Sequence, residues 1–183
     1  MKNLSIARRY AKALILIGKE DGKAESYRGE LNSISELIGR EGMLKEAILN
    51  PLYDQTGRKN VLKSIIEKVE ISGTMKSFLL LLFDKGRMGF LSDINDFYQK
   101  LADELKGIAR ASLVSAVELS SETVEKIRSA LSKKTGKDVV LDVEQNPNLI
   151  GGIVTRIGDL VLDGSIKTQL FNMRESLKRG ESN

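Results

Sequence analysis

The stretch Leu149–Leu170, LIGGIVTRIGDLVLDGSIKTQL, sets glycines at 151, 152, 158 and 164 among alternating aliphatic residues, with Asp159 and Asp163 at its turns. Glycine-rich turns bind phosphate when backbone N–H groups at the start of a helix converge on the anion. Carboxylates near turns can hold magnesium or move protons. The spacing argues against both. A Walker-type loop needs lysine and then serine or threonine directly after its last glycine. Here Gly152 precedes Ile153-Val154-Thr155, and Gly158 precedes Asp159. A dinucleotide fingerprint lies between a strand and a helix, whereas the alternation here predicts a second strand. Asp159 and Asp163 have no further carboxylate beside them and read as turn formers that hydrogen-bond local backbone. Each glycine then has a turn to make, after Asn146-Pro147-Asn148, at Ile157-Gly158-Asp159 and at Asp163-Gly164-Ser165, where Ser165 is placed to cap a helix.

The rest of the chain offers little reactive chemistry. There is no histidine and no cysteine among the 183 residues. The usual zinc, copper and haem ligands, the Ser-His and Cys-His pairs and any disulfide framework are therefore excluded. No cofactor and no metal site are expected. The net charge of +4 is modest and spread over both halves, without the concentrated field that nucleic acid demands. Arg8, Arg9 and Lys12 form a small basic cluster, read as a solvated face, with a rim that orients an acidic segment as the alternative. No run of about 18 apolar residues is present to span a membrane. The longest, FLLLLF at Phe78–Phe83, is far too short. The N-terminal MKNLSIARRYAKALILIG lacks a small-residue cleavage site and reads as a helix of the mature chain.

Two periodicities divide the sequence. Over the first hundred residues apolar positions recur at helical spacing: Ile6, Tyr10, Ala13, Leu14 and Ile17; Tyr27, Leu31, Ile34 and Ile38; Leu44, Ala47 and Ile48; Val61, Leu62, Ile65, Ile66 and Val69; then FLLLLF; then Leu91, Ile94, Tyr98, Leu101 and Leu105. Asp54 or Thr56 is placed to cap the fourth helix and Thr74 the fifth, with Gly86 closing it. Six helices with short connections predict an antiparallel bundle. After Gly107 the period shortens. Leu113, Val117 and Leu119 alternate, as do Val139, Leu141 and Val143, around a helix capped by serine and closed by Gly136. Two more strands fall within Ile150–Leu162, before a last helix with Ile166, Leu170, Met173 and Leu177 on one face. The order β-α-β-β-β-α after a helical bundle predicts an α+β, two-domain chain, 1–106 and 107–183, with the boundary near residues 105–110.

The stretch that opens this section closely resembles the C-terminal signature of the delta subunit family of bacterial F-type ATP synthases, the counterpart of the mitochondrial oligomycin-sensitivity-conferring protein. ARRYAKAL at Ala7–Leu14 looks like the family's first helix, and LLFDKGRMGFL at Leu81–Leu91 like the segment joining its fifth and sixth helices. The resemblance covers essentially the whole chain. It implies a non-catalytic stator component that links the catalytic head to the peripheral stalk and resists rotor torque. Such a component sits in a peripheral complex on the cytoplasmic face of the bacterial plasma (inner) membrane, without inserting into it.

In that family the first and fifth helices receive the N-terminal helix of an alpha subunit. The resemblance therefore implies Tyr10, Ala13, Leu14 and Ile17 with Phe78, Leu81 and Leu82 as contact residues. A helix as apolar all round as the fifth must bury more than one face, which agrees. The b subunits of the stalk are implied as partners of the C-terminal region, with Leu170, Phe171 and Leu177 as candidates. A helical adaptor outside any ATP synthase is the alternative. An RNA-binding reading fails for want of stacking rings: after residue 106 the only aromatic is Phe171, in a helix. An enzyme reading fails for want of a convergent polar site.

Overall fold

The computed structural model describes residues 4–158 and 160–180, so Asp159, one of the expected turn formers, lies outside the described residues. The chain divides into two compact units, Met1–Ala102 and Asp103–Asn183. Among the described residues it is α+β, with eight α-helices, a short 3-10 helix and a four-stranded sheet.

The first unit holds α1 (Leu4–Glu20), α2 (Ala24–Arg40), α3 (Gly42–Leu49), α4 (Gln55–Lys68), α5 (Gly73–Asp84), a 3-10 turn (Met88–Phe90) and most of α6 (Leu91–Leu105). All of them contribute to one apolar core. The α2 stripe Tyr27, Leu31, Ile34 and Ile38 is buried. In α1 the buried stripe is instead Ala7, Ala11, Leu14, Ile15 and Gly18, turned away from the expected line of Ile6, Tyr10, Ala13 and Ile17. The cause is close helix packing. A Cβ on Gly18 would stand 2.9 Å from the Cα of Ala24 and 3.2 Å from Tyr27 and from the Tyr98 hydroxyl. Small residues, Ala7, Ala11 and Gly18, therefore share the inner line of α1 with Leu14 and Ile15, and Ile6, Tyr10, Ala13 and Ile17 flank it.

Polar groups close the ends of these helices. Asp54 caps α4 by accepting from the Gly57 amide at 3.0 Å. Ser72, two residues before the expected Thr74, caps α5 by accepting from the Met75 amide. Ser72 is itself held by Glu30, whose carboxylate accepts from the Ser72 amide at 3.0 Å and its hydroxyl at 2.7 Å. The Tyr98 hydroxyl donates to the Ala24 carbonyl at 2.8 Å, and burial pushes its pKa up.

The second unit holds β1 (Ile108–Ser115), α7 (Ser121–Thr135), β2 (Asp138–Gln145), β3 (Ile153–Ile157), β4 (Leu160–Asp163) and α8 (Ile166–Gly180). The strand order is β2-β1-β3-β4. β1 and β2 are parallel, a pairing that needs a crossover connection, here supplied by α7, and β1/β3 and β3/β4 are antiparallel. Ser120 caps α7, and Gly136, at φ 68°, ends it. Val117 and Leu119, expected to continue the first strand, lie beyond its end at Ser115. The buried cluster of this unit is small: Ala111, Leu131 and Val139, with Ile127, Leu141, Ile157 and Leu162 partly buried against it.

Candidate partner-docking surfaces

The glycine-rich stretch is a folding device. Gly152 has φ 86°, and a Cβ there would fall 2.3 Å from the Gly164 carbonyl oxygen. That approach lets Gly164 donate its amide to Ile153 O and Ile166 donate to Gly151 O, tying the start of β3 to the start of α8. Asp163 accepts from the Ser165 amide at 2.9 Å and the Thr168 hydroxyl at 2.8 Å. These hydrogen bonds hold its carboxyl below the usual carboxylate range. Ser165 accepts from the Thr168 amide, capping α8 as its position in the sequence predicts. The amides of Gly164, Ser165, Ile166 and Thr168 are thus engaged within the turn. Among the described residues, no group of three or more potential ligand side chains is placed to hold a metal ion, and no helix is long and apolar enough to cross a membrane.

What the first unit presents instead is an apolar flank. The Tyr10 ring of α1 meets the Phe78 ring of α5 edge-on, with centroids 6.3 Å apart. Around that contact the expected residues separate into two groups. Leu14 and Leu82 are fully buried and Phe78 is 7% exposed, so their side chains belong to the core and leave no free face for a partner. Tyr10 is half-buried, Ala13 is exposed, and Ile17 and Leu81 are 40% and 45% exposed. Tyr10, Ala13 and Ile17 recur at three and four, which puts them on one side of α1, just as Phe78 and Leu81 share a side of α5. The sequence could not make this separation, because six consecutive apolar residues in α5 give no sign of which faces out.

The second unit presents α8. Leu170, Phe171 and Leu177 are all exposed, and so are Ile166 and Met173. Ile166, Leu170, Met173 and Leu177 follow the alternating four-three-four spacing of a coiled-coil seam. Phe171 stands one residue off that line. Lys167, Arg174 and Lys178 flank it. The sequence places Ile166 and Met173 on the same helical face; in the structure Ile166 packs against Gly151 and is 40% exposed, while Met173 is 61% exposed.

Comparison with known proteins adds the decisive observation. The family model described as "ATP synthase delta (OSCP) subunit" matches residues 6–177. The chain belongs to the ATP synthase delta (OSCP) subunit family. Relatives named ATP synthase subunit delta support this at 60% identity in Desulforapulum autotrophicum and 62% in Desulfatibacillum aliphaticivorans, each over the full length of both chains. Among solved structures, a chain of the Toxoplasma gondii mitochondrial ATP synthase hexamer superposes with a TM-score of 0.68. It shares 18% identity and the match covers 93% of this chain and 96% of that one, so the delta (OSCP) fold persists far beyond close sequence similarity.

Proposed function

We propose that this chain is the non-catalytic stator subunit of an F-type ATP synthase, joining the catalytic head to the peripheral stalk. The observation that carries the reading is family membership along essentially the whole chain. Two surfaces fit the task. The flank formed by Tyr10, Ala13 and Ile17 with Leu81 receives the N-terminal helix of an alpha subunit. Leu14, Phe78 and Leu82 support it from beneath, within a bundle of the six helices. In the 107–183 region, α8 receives the b subunits along its exposed seam. A helix that packs into such a flank or seam is held by apolar burial at about 25 cal/mol per Å², contributed by both ends of the connector.

The mechanical role follows from having two docking sites on one chain. Torque from the rotor would spin the head unless the head is tied to a fixed stalk. A connector that grips both partners keeps the head still, so that proton flow drives ATP synthesis at the cytoplasmic face of the plasma membrane. The test is reconstitution. Membranes bearing ATP synthase stripped of this subunit should recover ATP-driven proton pumping when the full chain is added. Recovery should be poor with Ile17→Asp or Leu170→Asp. Full recovery with both variants would overturn this assignment of the surfaces, and no recovery with the unaltered chain would overturn the role.

A further inference from the structure

A second surface lies on the other flank of α1. Leu4, Ser5, Arg8, Arg9 and Lys12 border an open depression of about 490 Å³ whose remaining wall is Phe97 of α6. Arg8 and Lys12 are four apart, on the side of the buried Ala7–Ala11 line away from Tyr10 and Ile17. The Arg8 guanidinium carbon lies 5.5 Å from the centre of the Phe97 ring, and the Lys100 ammonium 5.7 Å from it. Two cations are thus held beside one ring.

Among the described residues Arg8, Arg9, Lys12 and Lys100 are in no ion pair, as holds for many lysines and arginines of the chain, but here they converge on one depression. Among the described residues no carboxylate lines the depression. The first turn of α1 opens beside it with no acidic residue, so the positive end of the helix adds to the field. Like charges four apart on one helix repel, and an incoming anion relieves that repulsion. Leu4 and Phe97 give the depression an apolar floor, which a merely solvated face does not need.

We infer that the α1/α6 depression docks an acidic peptide segment of a partner protein, at a site separate from the α1/α5 flank. The segment carries carboxylates at helical spacing, to meet cations spread over about 6 Å of α1, and one apolar side chain that seats on Leu4 and Phe97. Electrostatic complementarity of this kind sets orientation and encounter rate.

The experiment titrates the full chain with a fluorescent peptide of about 20 residues, long enough to turn helical on binding, bearing glutamates four apart and a single central leucine. A second peptide has glutamine for every glutamate. Saturable binding of the first peptide only is expected, weakened about tenfold or more by Arg9→Glu with Lys12→Glu and unchanged by Ile17→Asp, which alters the other flank alone. Both reversed residues are exposed, so the fold is retained, and circular dichroism checks this. Equal binding by the double variant, or equal binding of the glutamine peptide, would overturn the inference. So would complete competition by inorganic tripolyphosphate at the peptide's own concentration, which would make the depression a simple polyanion patch.

Discussion

The ring of Tyr10 meets that of Phe78 edge-on, at an interplanar angle of 70°, and the contact joins a half-buried residue of α1 to a buried residue of α5. It marks where the core ends and the exposed flank begins. Replacing Tyr10 with phenylalanine keeps the ring pair and should leave stability within about 0.5 kcal/mol. Replacing it with alanine should cost at least the roughly 0.5–1.5 kcal/mol of the aromatic contact. Chemical denaturation of the two variants checks both values.

The residues beneath the flank should behave differently from those on it. Leu82→Ala empties a fully buried position and should cost about 2–5 kcal/mol. Ala13→Ser and Ile17→Thr, on exposed positions, should stay within about 0.5 kcal/mol while weakening partner binding. Urea titrations of the set would contradict the division if Leu82→Ala proved as mild as Ile17→Thr.

Two glycines carry close approaches that a methyl group cannot share. Gly18→Ala brings a Cβ within 2.9 Å of the Ala24 Cα, and overpacking of this kind should cost about 1–3 kcal/mol. Gly152→Ala combines a positive φ with a Cβ at 2.3 Å from the Gly164 carbonyl. It should loosen the start of α8, read as faster amide exchange at Gly164 and Ile166, with little effect on the exchange of α2 or α5.

Asp163 makes the α8 cap sensitive to acid. Its hydrogen bonds to Ser165 and Thr168 lower its folded pKa below the ordinary 3.8. A depressed carboxylate contributes stability that is present above the unfolded pKa and is lost as pH falls through the folded one. Asp163→Asn should therefore weaken the cap at neutral pH, and the difference between variant and parent should start to shrink only near the ordinary 3.8 and close as pH falls through the lower folded pKa. The amide exchange of Ser165 and Thr168 at neutral pH and below the folded pKa reads this directly.

Residues 107–183 alone should unfold in a broad, low-temperature transition, because the buried cluster is Ala111, Leu131 and Val139 with few partners and small units bury too little surface. A sharp transition at high temperature would contradict this. Leu170→Asp with Leu177→Asp should leave that transition unmoved, since both side chains are already exposed.

Much of this architecture is written in the periodicity. Tyr27, Leu31, Ile34 and Ile38 announce the buried face of α2 because large residues at three and four leave no other reading. The serine cap and closing Gly136 mark α7 equally well. α1 misleads because three of the five residues on its inner line, Ala7, Ala11 and Gly18, are small ones that hydrophobicity alone does not single out, while the larger Tyr10 and Ile17 flank that line. α5 is ambiguous for the opposite reason, since every residue from Phe78 to Phe83 is apolar and only packing separates Leu81 from Leu82. On α8 the spacing of Ile166, Leu170, Met173 and Leu177 is plain, yet periodicity says that a face exists and not whether its own chain covers it. The basic depression beside Phe97 was legible only as three cations on one helix, because the ring and Lys100 arrive from α6, far along the chain.

The central claim is that the α1/α5 flank holds the head of an ATP synthase. Calorimetric titration of the full chain with the N-terminal segment of the same organism's alpha subunit tests it most directly. The account predicts saturable one-to-one binding, weakened about tenfold or more by Ile17→Asp or Leu81→Asp and unaffected by Leu170→Asp. Binding that ignores the first two changes, or no binding at all, would contradict it.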